Sequence, residues 1–274
     1  MVLLLDIGNT HVHCGLADRR RVRRRWDFPT VDLLNAVAAE TTAAALRQRV
    51  GRAAVTAVAL CSVVPAATVS AQALVGKLFG LTARQLTHTQ MPGLRLDYPR
   101  PETLGQDRLA NALAARHHFG APVVAVGFGT AVIFDVVNPH GEYVGGIIAP
   151  GLALMTRYLH EKTAQLPEIR VREPRSLVGR NTEQAMLVGA VVGYRGLVRE
   201  LITGLKRELR APQLPVVATG GYAPLLAKHL PEITRVYPGL TLEGLRLWWE
   251  LTENPGAVPE PVRNARPAGR KRKN

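Results

Sequence analysis

A chain of 274 residues, 47% hydrophobic and with a formal net charge of +14, has room for one large α/β unit or two domains of about 120 residues. Only 5% of it is aromatic, so Ala, Val and Leu must fill the core, and the two cysteines, Cys14 and Cys61, exclude a disulfide framework and suit a reducing cytoplasm. The opening apolar run stops at Leu5 and no stretch reaches ~18 uninterrupted apolar residues, which argues against a signal peptide and a membrane span.

The first stretch, MVLLLDIGNTHVHCGLADRR, predicts two strands joined by a tight turn at Gly8. VRRRWDF is a third, charged strand, and Arg19 to Arg25 form an exposed hairpin tip and edge. TVDLLNAVAAETTAAALRQRVG has helical spacing and stops at Gly51. AVTAVALCSVVP is a continuous apolar run closed by Pro65, the pattern of a central parallel strand. A helix ends at Gly80. DYPRPETLGQDRLANALAARHHFG is a loop leading into a helix, with Leu109, Ala112 and Leu113 on its apolar face and Asp107 in its first turn. The chain then repeats itself. APVVAVGFGTAVIFDVVNPHGEYVGGIIAPG gives strand, glycine turn, strand, turn, strand. Helices follow at GLALMTRYLHEKTA and across NTEQ to KREL, and LPVVATGGYAPLLAKHL reads as strand, Gly-Gly turn, helix. The order begun near residue 1 thus recurs near residue 123, with DIGNT (6–10) matched by GFGTA (127–131), and this predicts two similar domains about a cleft.

Several of these segments can carry chemistry. A glycine turn offers backbone N–H groups to a phosphate, and Asn9 and Thr10 add side-chain donors. Asp6, at a strand end, can hold a hydrated Mg²⁺. Thr130 would donate from the opposite turn. The same residues also make an ordinary β-turn. Asp107 at a helix start can accept a proton from a substrate hydroxyl, its charged form favoured by the helix dipole, or simply cap the helix. Arg108 supplies a cation for an anion. NTEQ (181–184) has the form of a capping box. The glycines of GEYVGG and TGGYAP mark close backbone approach, the second beside a natural seat for an adenine ring. His11 and His13 alternate on one strand face without a third metal ligand. Gly189 and Gly193 form a GxxxG spacing suited to close helix packing, within or between subunits. Twelve basic residues, half in Arg19–Arg25 and half in PVRNARPAGRKRKN at the C-terminus, account for most of the net charge. The tail is read as disordered, either simply solvated or in contact with nucleic acid or another polyanion; deletion of 261–274 should abolish such binding if the tail is its only source.

From Val2 to Trp249 the sequence resembles the type III pantothenate kinases, the family that includes Bvg accessory factor homologues. The resemblance is carried by LLLDIGNTHVHCGL, CSVVP, YPRPETLGQDRLANALAARH, GTAVIFD, GEYVGGIIAPGLALM, KTAQLP, GRNTEQAMLVGAVVGYRGLV, TGGYAPLL and LTLEGL. It implies an α/β chain of two RNase H-like domains in the actin-like ATPase/sugar-kinase fold, here residues 1–120 and 121–255, followed by the tail 256–274. It implies a cytoplasmic homodimer that phosphorylates pantothenate with ATP and Mg²⁺, the first step towards coenzyme A. On this basis Asp6, Ile7, Gly8, Asn9, Thr10, His11, Val12 and His13 form the ATP phosphate loop, with Asp6 near Mg²⁺ and Thr130 a further nucleotide contact. Tyr98, Gly105, Gln106, Asp107, Arg108 and Thr182 bind pantothenate, and Asp107 is the catalytic base. Three positions depart from the family pattern. Gly127 stands where the family has an Asp that helps hold K⁺ or NH₄⁺, which puts the monovalent-cation site in question. Arg100 replaces an Asn, and Gln106 a common Ala. Two rivals accompany this reading: a non-catalytic family member with a binding or regulatory role, suggested by Gly127 and the basic tail, and an RNase H-like nucleic-acid enzyme, suggested by the charge and the fold, using Asp6, Asp107 and Asp135.

Overall fold

The computed structural model describes residues 1–256; the predicted basic tail lies outside them apart from its first residue. The first sheet holds β1 (Val2–Ile7), β2 (His11–Ala17), β3 (Val22–Pro29), β4 (Ala57–Ser62) and β5 (Ala83–Gln85), in the order β3-β2-β1-β4-β5. The second holds β6 (Arg95–Leu96), β7 (Val123–Phe128), β8 (Ala131–Val137), β9 (Glu142–Pro150), β10 (Val216–Thr219) and β11 (Arg235–Val236), in the order β11-β10-β7-β8-β9-β6. Strand for strand, β7 to β11 without β6 repeat the first sheet. The first two pairings of each unit are antiparallel hairpins, and the crossovers to the fourth and fifth strands are parallel. This is the RNase H-like strand order used twice, the arrangement that the family resemblance implies. Short β6, from the first half of the chain, extends the second sheet by pairing with β9.

The helices are α1 (Val31–Leu34), α2 (Ala36–Val50), α3 (Pro65–Phe79), α4 (Gln106–Phe119), α5 (Leu152–Lys162), α6 (Thr182–Val188), α7 (Tyr194–Glu208), α8 (Ala223–Ala227) and α9 (Leu240–Glu253). None of them is long and apolar enough to cross a membrane. The helix predicted over 30–51 is two helices, because Asn35 leaves helical geometry and its side chain caps α2 by accepting from Val37 N and Ala38 N. Pro65 opens α3 at its first turn, where its missing N–H costs nothing. The long helix from NTEQ is interrupted by a π-helical turn at Gly189–Gly193. A Cβ at either glycine would meet nothing within 4 Å, so the GxxxG spacing makes no tight packing among the described residues. As predicted, β3 is an exposed edge carrying the arginine run.

Strand alternation decides which side chains face the cleft. Leu3, Leu5 and Ile7 enter a core with α1–α3, while Leu4 faces a central layer shared with α4 and α9. Asp6 follows Leu4 onto that inner side. In the second sheet Val124, Val126 and Phe128 pack with α5 and α7, whereas Ala125 and Val137 belong to the same central layer. Gly127 and Asp135 share the side of Ala125 and Val137. Both sheets therefore turn their chemistry-bearing residues towards α4.

Candidate active site

The two predicted phosphate turns meet. Thr10 Oγ1 and Thr130 Oγ1 lie 3.1 Å apart, within hydrogen-bond distance, across 120 residues of sequence. Each turn joins the first hairpin of its sheet, so the duplicated topology brings DIGNT and GFGTA face to face. Gly8 N–H is closed onto His11 O at 3.0 Å, and Gly129 N–H onto Ala131 O at 3.0 Å. Behind the second turn, Gly151 and Gly220 approach it as glycine alone allows. A Cβ at Gly151 would lie 2.2 Å from Thr130 O, and one at Gly220, where φ is +92°, 2.4 Å from Phe128 O.

Asp6 is buried at the end of β1, and the Cys61 thiol of neighbouring β4 donates to its Oδ1 at 3.5 Å. Burial first, then the negative charge of Asp107, pushes the Asp6 carboxyl up to about 7. Asp107 stands in the first turn of α4, and its Oδ1 accepts from Arg108 N at 2.9 Å. Gly105 makes that fold-back possible, since a Cβ there would lie 2.5 Å from Asp107 Oδ1. Burial raises the Asp107 carboxyl above its ordinary value, while its backbone hydrogen bonds and Arg108 pull it down. The helix-start effect expected from sequence is thus outweighed. Gln106 is spent on anchoring: its Oε1 accepts from Ser62 N at 2.9 Å and Gln85 Nε2 at 3.2 Å, which ties the start of α4 to β4 and β5.

Arg108 reaches the second sheet. Its Nε donates to Asp135 Oδ1 at 2.7 Å, and Tyr143 OH donates to the same oxygen at 3.2 Å. Burial pushes the Asp135 carboxyl up to about 7, against the pull of Arg108. Tyr98 stands on the same side, its ring centroid 6.1 Å from that of Tyr143, and a Cβ at Gly145 would lie 3.3 Å from the Tyr98 ring. The link from Arg108 through Asp135 to Tyr143 was not read from sequence. Its signal was the glycine-rich GEYVGG, which marks where β9 leaves room for these side chains.

The remaining predicted residues fall less centrally. His11 and His13 are exposed, with rings stacked at 6.2 Å and 21°. Thr182 opens α6 and is exposed; its neighbours form the predicted cap, with Asn181 Oδ1 accepting from Gln184 N and Gln184 Oε1 from Arg180 N, each at 2.9 Å. Among the described residues no hydrogen bond joins Thr182 to Asp107, Arg108 or Thr130. A Cβ at Gly127 would find its first neighbour, Ile133 O, at 4.0 Å, so the position has space for a side chain and supplies none. Its partners in the sheet are Ile133 and Thr219, and neither offers a carboxylate. Among the described residues there is no group of three or more His, Cys, Asp or Glu able to hold a metal ion.

A sequence model described as type III pantothenate kinase matches residues 2–204. The type III pantothenate kinase of Methylacidiphilum infernorum is 40% identical over 253 residues, 91% of this chain and 88% of that protein. The one from Acidiphilium cryptum is 38% identical over 263 residues, 95% of this chain and 98% of its own length. Among solved structures, a Baf family protein from Campylobacter jejuni superposes with a TM-score of 0.57 at 16% identity, over 93% of this chain and 100% of that one. That likeness concerns the fold alone.

Proposed function

The chain belongs to the type III pantothenate kinase family, and from that membership we propose how its cleft divides the work. The protein transfers a phosphoryl group from ATP to pantothenate, the entry step of coenzyme A biosynthesis. Asp107 takes the proton of the pantothenate primary hydroxyl, whose oxygen attacks the γ-phosphorus as ADP leaves. Backbone N–H groups and the hydroxyls of Thr10 and Thr130 hold the phosphates. Arg108, with Tyr98 nearby, meets the anionic substrate. Thr182 completes the pantothenate site in this reading, as the family resemblance has it. The observation that carries the assignment is the meeting of Thr10 with Thr130, one from each of the two matched turns, with Asp6 at the end of the strand that leads into the first turn.

Asp6 suits Mg²⁺: among the described residues its carboxylate pairs with no cation, only with a thiol. When bound, Mg²⁺ neutralises charge on the phosphoryl oxygens. The monovalent cation does not fit in the same way, because Gly127 has no carboxylate and its sheet partners supply none. No step is assigned to that ion.

The same proposal includes a cytoplasmic homodimer, supported by exposed Leu154, Met155, Tyr158 and Leu159 on α5. It keeps the division into residues 1–120 and 121–255, supported by one sheet in each half, with β6 and α9 packed across the boundary. Contact of the basic tail with polyanions belongs to it as well.

The test is ADP release from MgATP with and without pantothenate, in potassium and in sodium buffers, with the solution mass of the same preparation measured alongside. Turnover that depends on pantothenate and is equal in both salts is expected, falling by about 10²–10⁴-fold in Asp107→Asn. Folded protein without pantothenate-dependent release in either salt would overturn the assignment. A strict need for potassium would overturn the reading of Gly127, and a monomeric mass that of the dimer.

A further inference from the structure

Arg108 and Asp135 form a buried ion pair between α4 and the second sheet, their side chains 11% and 1% exposed. Such a pair costs desolvation, so stability alone is a weak reason for it. Its geometry supplies another. Only the Nε of Arg108 is engaged, by Asp135 Oδ1; among the described residues its two Nη groups make no hydrogen bond. A guanidinium held at Nε presents those Nη groups as a rigid fork matched to two oxygens of an anion. The surroundings are shaped for the pair. The Tyr143 hydroxyl donates to the same Asp135 oxygen, and the Arg108 guanidinium lies 5.8 Å from the Tyr143 ring centroid. A Cβ at Gly146 would lie 1.7 Å from Phe134 O and 2.9 Å from Arg108 Nη2, so the guanidinium sits where β9 carries no side chain. Asp97 N donates to Tyr143 O at 2.9 Å, which ties the segment bearing Tyr98 to the same strand.

We propose that Asp135 is the positioning residue for Arg108, with Tyr143 locking the pair, so that the fork is set before an anionic oxygen arrives. The inference rests on the kinase assignment and deepens it. The anion is the pantothenate carboxylate or the phosphoryl group in flight, which share their oxygen chemistry and differ in kinetic signature.

Asp135→Asn keeps the shape and one acceptor oxygen and removes the charge. Among the described residues the buried Asp135 Oδ2 has no hydrogen-bond partner, so an amide group there breaks no existing bond. At pH 8, kcat/KM for pantothenate should fall by about 10–100-fold, the range for hydrogen bonds to charged groups. A rise in KM for pantothenate at constant kcat identifies the carboxylate; a fall in kcat at constant KM identifies the phosphoryl group. Lysine lacks the Nε donor, so in an Arg108→Lys background the same Asp135→Asn change should cost less than about threefold. Tyr143→Phe, which removes one hydroxyl, should act in the same direction by about 3–10-fold and guards against a poorly folded Asp135 variant. Wild-type kinetics in Asp135→Asn, or an equal cost in both backgrounds, would overturn the proposal. The Nε–H resonance of Arg108 in ¹⁵N spectra reads the clamp without substrate: slow exchange in the wild type and fast exchange in Asp135→Asn support it, and no difference overturns it. An inactive wild type that keeps this signal would instead indict the kinase assignment.

Discussion

Asp6 carries a stability consequence that follows from its place rather than its chemistry. Its carboxyl titrates at about 7 in the fold against an ordinary 3.8, because burial and Asp107 disfavour the charged form. Between these values the folded protein retains a proton that the unfolded chain has lost, so stability falls as pH rises through this window and levels off above it. Asp6→Asn removes that loss. In metal-free protein the melting temperature of the variant should match the wild type near pH 4 and exceed it at pH 8. The gain is about 2–4 °C for each kcal/mol recovered, while MgATP binding is lost. Thermal melts across pH settle it: a variant no more stable than the wild type at pH 8 would refute the burial argument. Asp6 could be singled out from sequence because Leu3, Leu4 and Leu5 lead straight into it and a glycine turn follows. Cys61 as its neighbour could not, because the contact depends on the parallel register of β1 and β4, 55 residues apart. The tie from Arg108 to Asp135 was hidden for a like reason: a contact between a helix and a strand of the second sheet leaves no local pattern.

Elements were legible where one periodicity dominated. The apolar runs of β1, β4 and β7 and the glycine stops of α2, α3 and α4 read directly from sequence. β5, β6 and β11, only three, two and two residues long, are too short to show alternation. Helix α9 escaped for the opposite reason. It lies between the sheets and buries Leu240, Leu242, Leu245, Leu247 and Trp248 around its circumference, so no single apolar stripe marks it. Its contact with α4 is set by one residue. A Cβ at Gly244 would lie 1.9 Å from Ala110 O, so the helices touch backbone to backbone there. Gly244→Ala must push α4 away, at about 1–3 kcal/mol for overpacking. Because α4 carries Asp107 and Arg108, kcat/KM should drop as well. Gly189→Ala is the control: nothing lies within 4 Å of its Cβ, and alanine there should be neutral or mildly stabilising. Urea unfolding and kinetics of the two variants separate packing from propensity; equal behaviour would remove the role given to Gly244.

At the scale of the whole molecule, the repeat is the feature that sequence revealed best. DIGNT and GFGTA are each the turn of a first hairpin, and two copies of one topology facing each other bring the turns together at Thr10 and Thr130. That contact has two separable roles. In the absence of nucleotide the two hydroxyls satisfy each other, so Thr10→Val and Thr130→Val each remove the same single hydrogen bond. Their effects on stability should therefore not add, the double variant matching either single one to within about 0.5 kcal/mol. Phosphates engage the hydroxyls individually. Each substitution then removes its own donor to a charged ligand and should raise KM for ATP by about tenfold, with the double variant raised by the product. Denaturant melts and ATP titrations of the three variants give both numbers from one set of proteins. Additive stability effects would mean that the two turns do not clasp. An unchanged KM would mean that the hydroxyls do not face the phosphates, and the facing turns would then serve the fold alone.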